Sequence, residues 1–196
     1  AFNPLIAHVA SVEAARQLAV FNADAERLAK AFWPGPLTLV LPRTPDCPVS
    51  ELATAGLDTI ALRVPAHAVS QEILEAFGGP VVAPSANISG HVSPTTAQHV
   101  RDEFGAGLLV LDGGACEVGI ESTILDLSRM KTLKRPVVLR PGAVTPEMIR
   151  DVIGEMPLQP EEVPAAKPSA SARQPRVSGS LAAHYAPATP MRLVPG

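Results

Sequence analysis

Short apolar runs bounded by proline or glycine constrain this chain more than any other feature. Leu37–Leu41, Thr59–Val64, Val81–Ala83 and Leu108–Leu111 are too short for helices and too apolar for loops, and Ile120–Leu127 and Val137–Leu139 add β-rich segments. They read as sheet strands, most of them covered on both faces. Between them lie helical patterns with start signals. Ser11 caps a helix reaching about Val20, and Asn22 caps a second through Phe32, which the run Trp33-Pro34-Gly35-Pro36 ends. Further helical patterns cover Ala68–Phe77 and Thr95–Phe104, and Thr145 precedes Pro146 at a first helical position. The last three apolar segments follow one another with no helix between them, so antiparallel neighbours are allowed. The fold class is therefore α/β, a twisted mixed parallel and antiparallel sheet with flanking helices.

Domain organisation follows from composition. Eight of the 21 prolines lie between Pro157 and Pro195. The expected layout is a catalytic domain over 1–156, a linker over 157–187 containing His184-Tyr185-Ala186-Pro187, and the start of another domain over 188–196. The chain opens on Ala1-Phe2-Asn3-Pro4-Leu5 without Met and runs at once into structure, which reads as entry in mid-domain.

Composition also removes function classes. A net charge of −3 lacks the bulk positive field of a protein that holds nucleic acid through phosphates, and no apolar run approaches the ~18 residues of a membrane span. A cytoplasmic address is the default. Cys47 and Cys116 stand far apart with no Cys-x-x-Cys pairing, and read as reduced, semi-buried thiols rather than a disulfide or zinc pair. His8, His67, His91, His99 and His184 show no metal-binding spacing, and His99 reads as structural. Phosphate-binding Gly-x-x-x-x-Gly-Lys-Ser/Thr, Gly-x-Ser-x-Gly and Gly-x-Gly-x-x-Gly motifs are all absent.

Chemistry then has few places to sit. Pro84-Ser85-Ala86-Asn87-Ile88-Ser89-Gly90 follows the strand Val81–Ala83, where small polar residues let backbone and hydroxyl donors approach a phosphate; it reads equally as an ordinary Ser/Asn turn. Asp112-Gly113-Gly114 and Gly119-Ile120-Glu121-Ser122-Thr123 offer hydroxyls beside a tight bend, or a plain hairpin connection. Arg63 and Arg140 each end a strand ahead of a proline, a setting in which two guanidiniums can meet one polyanion. Arg129, Lys131, Lys134 and Arg135 form a basic cluster that reads as a solvated turn or a local RNA contact.

Taken in order, several motifs resemble the YrdC-like threonylcarbamoyl-AMP synthases. They are Asn3-Pro4-Leu5, Phe32–Thr38, Leu62–Pro65, Ala83–Gly90 with Ser93-Pro94-Thr95, Gly119–Thr123 and Leu139–Gly142, together covering about residues 1–153. The tail with His184-Tyr185-Ala186-Pro187 resembles the linker of the family's two-domain form, whose C-terminal Rossmann-like domain would begin near Met191. The resemblance implies that ATP, L-threonine and bicarbonate or CO2 yield threonylcarbamoyl-adenylate and pyrophosphate, with Mg2+ as cofactor. The product feeds tRNA modification through downstream transfer proteins, with no membrane involved.

By the same resemblance Ser85 and Asn87 are the catalytic and nucleotide-binding Ser-x-Asn, and Arg63, Arg140 and Tyr185 also belong to the nucleotide. His8 and Ser122 belong to threonine, and Tyr185 would act as a lid. Metal ligands stay open, Glu121 and Asp112 entering only by proximity in sequence. The family's Lys-x-Arg signature would lie just upstream of Asn3, so the 196 residues alone are expected to be inactive. Two other readings are an RNA-binding module and the adenylate-forming carbamoyl-phosphate domain of the hydrogenase-maturation type. Seven aromatics in 196 residues are few for base stacking, and the His-Tyr-Ala-Pro linker favours the threonine enzyme over its relative.

Overall fold

The computed structural model describes residues 3–88 and 90–164, and the chain divides into two units. The first, residues 1–84 with 120–178, carries all six strands described and five of the six α-helices; the second is built around residues 85–119. Each is described by itself.

In the first unit the elements run β1 (Ile6–His8), α1 (Val12–Leu18), α2 (Ala23–Phe32), β2 (Leu37–Pro42), β3 (Thr59–Arg63), α3 (Ala68–Phe77) and β4 (Val81–Ala83). The second unit contributes α4 (Ala97–Phe104). The chain then returns to the first unit for β5 (Thr123–Asp126), α5 (Met130–Leu133), β6 (Val137–Arg140) and α6 (Pro146–Ile153). Helix starts follow the local chemistry read from the sequence. Ser11 accepts from Ala14 N at 3.2 Å, Asn22 from Ala25 N at 2.8 Å and Thr145 from Met148 N at 3.3 Å, each satisfying an N–H that the first helical turn leaves unpaired.

The sheet has the order β4-β1-β3-β2-β5-β6. Parallel pairs β1/β3 and β2/β5 alternate with antiparallel pairs β1/β4, β2/β3 and β5/β6, the mixed sheet expected from the sequence. Period-two alternation sorts its faces. Leu37, Leu39 and Leu41 of β2 point into the main core with Leu28 of α2 and Ile149 of α6, all completely buried. Val40, Ala61 and Ile124 form a smaller cluster on the other face, with Ile6 and Leu139 packed against it. His8, Thr38 and Arg63 share the strand parity of that second face.

Three expectations need correction. Leu108–Leu111 is not a strand: it lies in the second unit without sheet partners, and Leu108, Leu109 and Leu111 are exposed, since a four-residue apolar run carries no periodicity to distinguish strand from loop. Only Thr123–Asp126 of the segment Ile120–Leu127 pairs, and Ile120 is exposed. Cys116 is exposed rather than semi-buried, whereas Cys47 is half-buried, and both are free. The sequence also gave no sign of β1 or of the one-turn α5. Leu158, within the expected linker, exchanges backbone bonds with β6 through Val138 N (2.9 Å) and Pro136 O (2.8 Å). Tyr185, His184 and everything from residue 165 onward lie outside the described residues, as does Ser89. No helix among the described residues is long and apolar enough to cross a membrane.

Candidate functional site

Strand directions gather most of the sequence candidates at one edge of the first unit's sheet. His8 ends β1 and is in register with Arg63, which ends the parallel β3. Because β2 runs antiparallel to β3 and pairs Leu39 with Leu62, Thr38 at its start comes to the same edge. Thr123 pairs with Leu37, which puts Ser122 just beyond that edge, and Arg140 pairs with Ile124 at the end of β6.

The loops at this edge are fixed by backbone. Trp33-Pro34-Gly35-Pro36, with a cis Trp33–Pro34 bond, is held by Gly35 N donating to Val64 O at 2.8 Å and by the Trp33 indole donating to Leu37 O at 2.7 Å. Gly35 is required there, since a Cβ would overlap the Phe32 carbonyl. Its own carbonyl accepts from Arg63 Nε at 3.0 Å. On the other side, Thr123 Oγ1 donates to Val144 O at 2.8 Å and accepts from Val144 N at 3.1 Å, tying the turn after β6 to the start of β5.

The buried Arg140 wraps Ser122. Its Nε donates to Ser122 O at 3.0 Å and its Nη2 to Ser122 Oγ at 2.9 Å, while Nη1 lies 3.5 Å from Glu121 Oε2. Ser122 Oγ is also 2.9 Å from Thr38 Oγ1, both side chains being buried, so the three polar groups satisfy one another where water cannot. Thr38 is the member that sequence reasoning missed; a threonine inside an apolar strand reads as β-propensity, and only the register shows its partner.

Arg63 differs from Arg140. Burial lowers its pKa, Glu121 pushes it back up and Arg140 lowers it further, so the two guanidiniums and the carboxylate feel one another. The group stays charged. Its Nε is held by Gly35, yet its two terminal nitrogens make no hydrogen bond among the described residues. His8 is drawn down to about 4, first by burial and then by the Arg63 charge, with the backbone at Val81 and Ile6 pulling the other way. At neutral pH it is an uncharged imidazole able to accept a hydrogen bond.

The second unit holds the other motif. Asn87 is buried, and both hydrogens of its amide are committed inside its own loop, to Ile88 O at 2.9 Å and His91 O at 3.0 Å; its Oδ1 lies 3.5 Å from Ser93 Oγ. Ser85 is half-buried and its hydroxyl has no partner among the described residues. Asn87 therefore shapes the loop that sequence reasoning had it offering to a ligand, and Ser85 is the member left to present a donor. His99 joins Thr95 at the start of α4, a structural role as expected. In the first unit, the basic cluster is largely spent on structure: Arg129 pairs with the buried Asp126 at 2.6 Å and Arg135 donates to Met156 O at 2.8 Å.

Comparison with known proteins gives the chain's family. The family model Sua5_yciO_yrdC, described as "Telomere recombination", matches residues 1–142, and the model "Threonylcarbamoyl-AMP synthase, C-terminal domain" matches 144–196. A threonylcarbamoyl-AMP synthase of Pyrococcus abyssi is 44% identical across 99% of this chain and 54% of its own length. One from Bacillus subtilis is 39% identical, with the same two coverages of 99% and 54%. The chain thus spans about half the length of the curated relatives it matches. The crystal structure of P. abyssi Sua5 complexed with L-threonine superposes with a TM-score of 0.73 at 48% identity, over 81% of this chain and 45% of that one. Matched by the family model over most of its length and by these relatives over nearly all of it, the chain belongs to the Sua5/YciO/YrdC family.

Proposed function

We propose that this chain carries the nucleotide- and threonine-binding strand edge of a threonylcarbamoyl-AMP synthase. The observation that carries the reading is Arg63: a half-buried guanidinium, oriented by the Gly35 carbonyl through Nε, whose two terminal nitrogens make no hydrogen bond among the described residues and can meet an anion. Arg140 is mostly committed to Ser122 and Glu121, so it holds the floor while Arg63 meets phosphate. The threonine amine adds to CO2, losing a proton, to give a carbamate. A carbamate oxygen then attacks the α-phosphorus of ATP, and the bond to the β-phosphate breaks as pyrophosphate leaves. Positive charge fixed in place supplies stabilisation at the phosphorus without reorganisation. The uncharged His8 accepts a hydrogen bond from threonine, and Ser122, held between Arg140 and Thr38, presents a fixed hydroxyl to it. Ser85 is assigned to the nucleotide on the Ser-x-Asn signature and on a hydroxyl that has no partner among the described residues.

Magnesium enters this reading as part of the Mg–ATP substrate. The residues do not fit a resident ion: no group of three His, Cys, Asp or Glu clusters among the described residues, Glu121 faces Arg140, and Asp112 accepts from Gly114 N at 3.1 Å and lies 3.7 Å from Arg101. Bicarbonate as carbon source, a cytoplasmic address and delivery of the adenylate to tRNA modification belong to the same proposal. The test is pyrophosphate release from ATP by the intact protein, with and without L-threonine and bicarbonate, beside Arg63→Ala. Release that requires both co-substrates and collapses in the variant supports the reading. Release indifferent to threonine moves the assignment to the carbamoyl-phosphate relative.

A further inference from the structure

Helix α4 carries a carboxylate that the functional reading does not use. The other carboxylate of the exposed α4, Asp102, accepts from Gln98 on its own helix at 2.6 Å, but the Glu103 side chain is only 16% exposed and turns back onto the Ser85–His91 loop. Its Oε1 accepts from Ile88 N at 3.0 Å and lies 2.8 Å from His91 Nδ1. The peptide carbonyl of Ile88 is meanwhile held by the Asn87 amide and by His91 N at 2.9 Å. The loop is thus closed on the inside by Asn87 and fastened to the helix by Glu103, while the Ser85 hydroxyl has no part in either. His91, 60% exposed, would by itself make only a weak surface pair with Glu103; the shared backbone N–H is what gives the contact its directing role.

We propose that Glu103 is a positioning residue, whose carboxylate clamps the backbone of the Ser85–Asn87 loop to α4 in the shape in which Ser85 meets the nucleotide. The inference rests on the assignment of Ser85 to the nucleotide made above. Asn87 and Glu103 build the loop, and Ser85 uses it. Ser93 and Glu103 also line a cleft of about 700 Å3 together with His91, Val92, Pro94, His99 and Asp102, so the clamp borders open space rather than packed core.

The test compares Glu103→Ala, Glu103→Gln and His91→Ala in the intact protein, reading ATP affinity by calorimetry, KM for ATP and for threonine, and amide exchange at Ile88. Loss of one charge-assisted hydrogen bond is expected to speed Ile88 exchange and weaken ATP by about tenfold in Glu103→Ala, with the threonine KM within about twofold. Glutamine keeps an acceptor for the Ile88 N–H, so Glu103→Gln restores most of the affinity. His91→Ala leaves the backbone contact in place and has little effect. The proposal is overturned if Ile88 stays protected in Glu103→Ala, if exchange rises with ATP affinity unchanged, or if glutamine is as harmful as alanine. Wild-type protein that releases no threonine-dependent pyrophosphate would sink the synthase reading instead; the clamp is judged on ATP affinity and Ile88 exchange alone.

Discussion

His8 and Arg63 stand in register at the ends of two parallel strands, and the guanidinium adds to burial in keeping the imidazole uncharged. The folded pKa, about 4, lies below the ordinary 6.5, so the unfolded chain takes up the proton first as pH falls. The stabilisation from neutral His8 is complete above about pH 6.5 and is lost as pH drops toward 4; a shift of this size is worth at most about 3 kcal/mol. Urea unfolding at pH 7.5 and 4.5 should show His8→Gln losing about 2 kcal/mol less than wild type between the two conditions. Equal losses in both proteins would contradict the assignment.

The buried contact between Thr38 and Ser122 predicts an asymmetry. Thr38→Val removes one hydroxyl and leaves Ser122 with its Arg140 partner, a cost of about 1 kcal/mol. Ser122→Ala takes an acceptor from the buried guanidinium and also orphans Thr38, at about 2–3 kcal/mol. Denaturant midpoints with unchanged m-values would measure both. The opposite order would mean that Arg140 is held by Glu121 rather than by Ser122.

Gly142 sets the turn that follows Arg140. A Cβ there would come within 2.5 Å of Glu121 O and 2.8 Å of Ser122 C, backbone atoms that cannot step aside. Gly142→Ala should therefore cost more than about 2 kcal/mol and displace Arg140 with it. Gly154, left-handed at φ 83° after α6 but with nothing near its missing Cβ, provides the contrast: Gly154→Ala costs only about 1 kcal/mol of backbone strain. Thermal melts of the two variants decide whether contact or conformation governs the turn.

What was legible in the sequence was local. Ser11, Asn22 and Thr145 announce helix starts because a cap is a contact across three residues, and Leu37–Leu41 announces a buried strand because both its faces must be apolar. The helical pattern read over Thr95–Phe104 begins in the structure at Ala97, with Thr96 as its cap. Leu108–Leu111 misled because an apolar run says what a segment avoids, not what it pairs with. β1 was invisible because Ile6-Ala7-His8 ends on a polar residue and is no apolar run like Val81–Ala83, yet it positions His8. The site followed the same division. Arg63, Arg140, His8 and Ser122 were singled out by motif, and their shared edge follows from parallel and antiparallel pairing. Thr38 and Glu103 escaped because their partners, Ser122 and Ile88, lie 84 and 15 residues away, and no spacing rule reaches across a fold.

Arg63 separates stability from binding more sharply than any other residue at the sheet edge. Among the described residues its one hydrogen bond is to Gly35 O, and its neighbours include the like charge of Arg140 as well as Glu121. Removing it loses that bond and the attraction of Glu121 but relieves the desolvation of a half-buried charge and the smaller repulsion of Arg140, so Arg63→Ala should change unfolding free energy by less than about 1 kcal/mol. ATP affinity should nevertheless fall by roughly thirtyfold or more, the worth of a charge-assisted contact in a partly desolvated site. Arg63→Lys tests the geometry: an ammonium restores the charge but cannot bond Gly35 and a phosphate through one planar fork, so it should recover little of the loss. Equilibrium dialysis with labelled ATP measures all three proteins. A lysine variant binding as well as wild type would show that the edge attracts phosphate by field alone, and the orienting role given to the Gly35 carbonyl would fall with it.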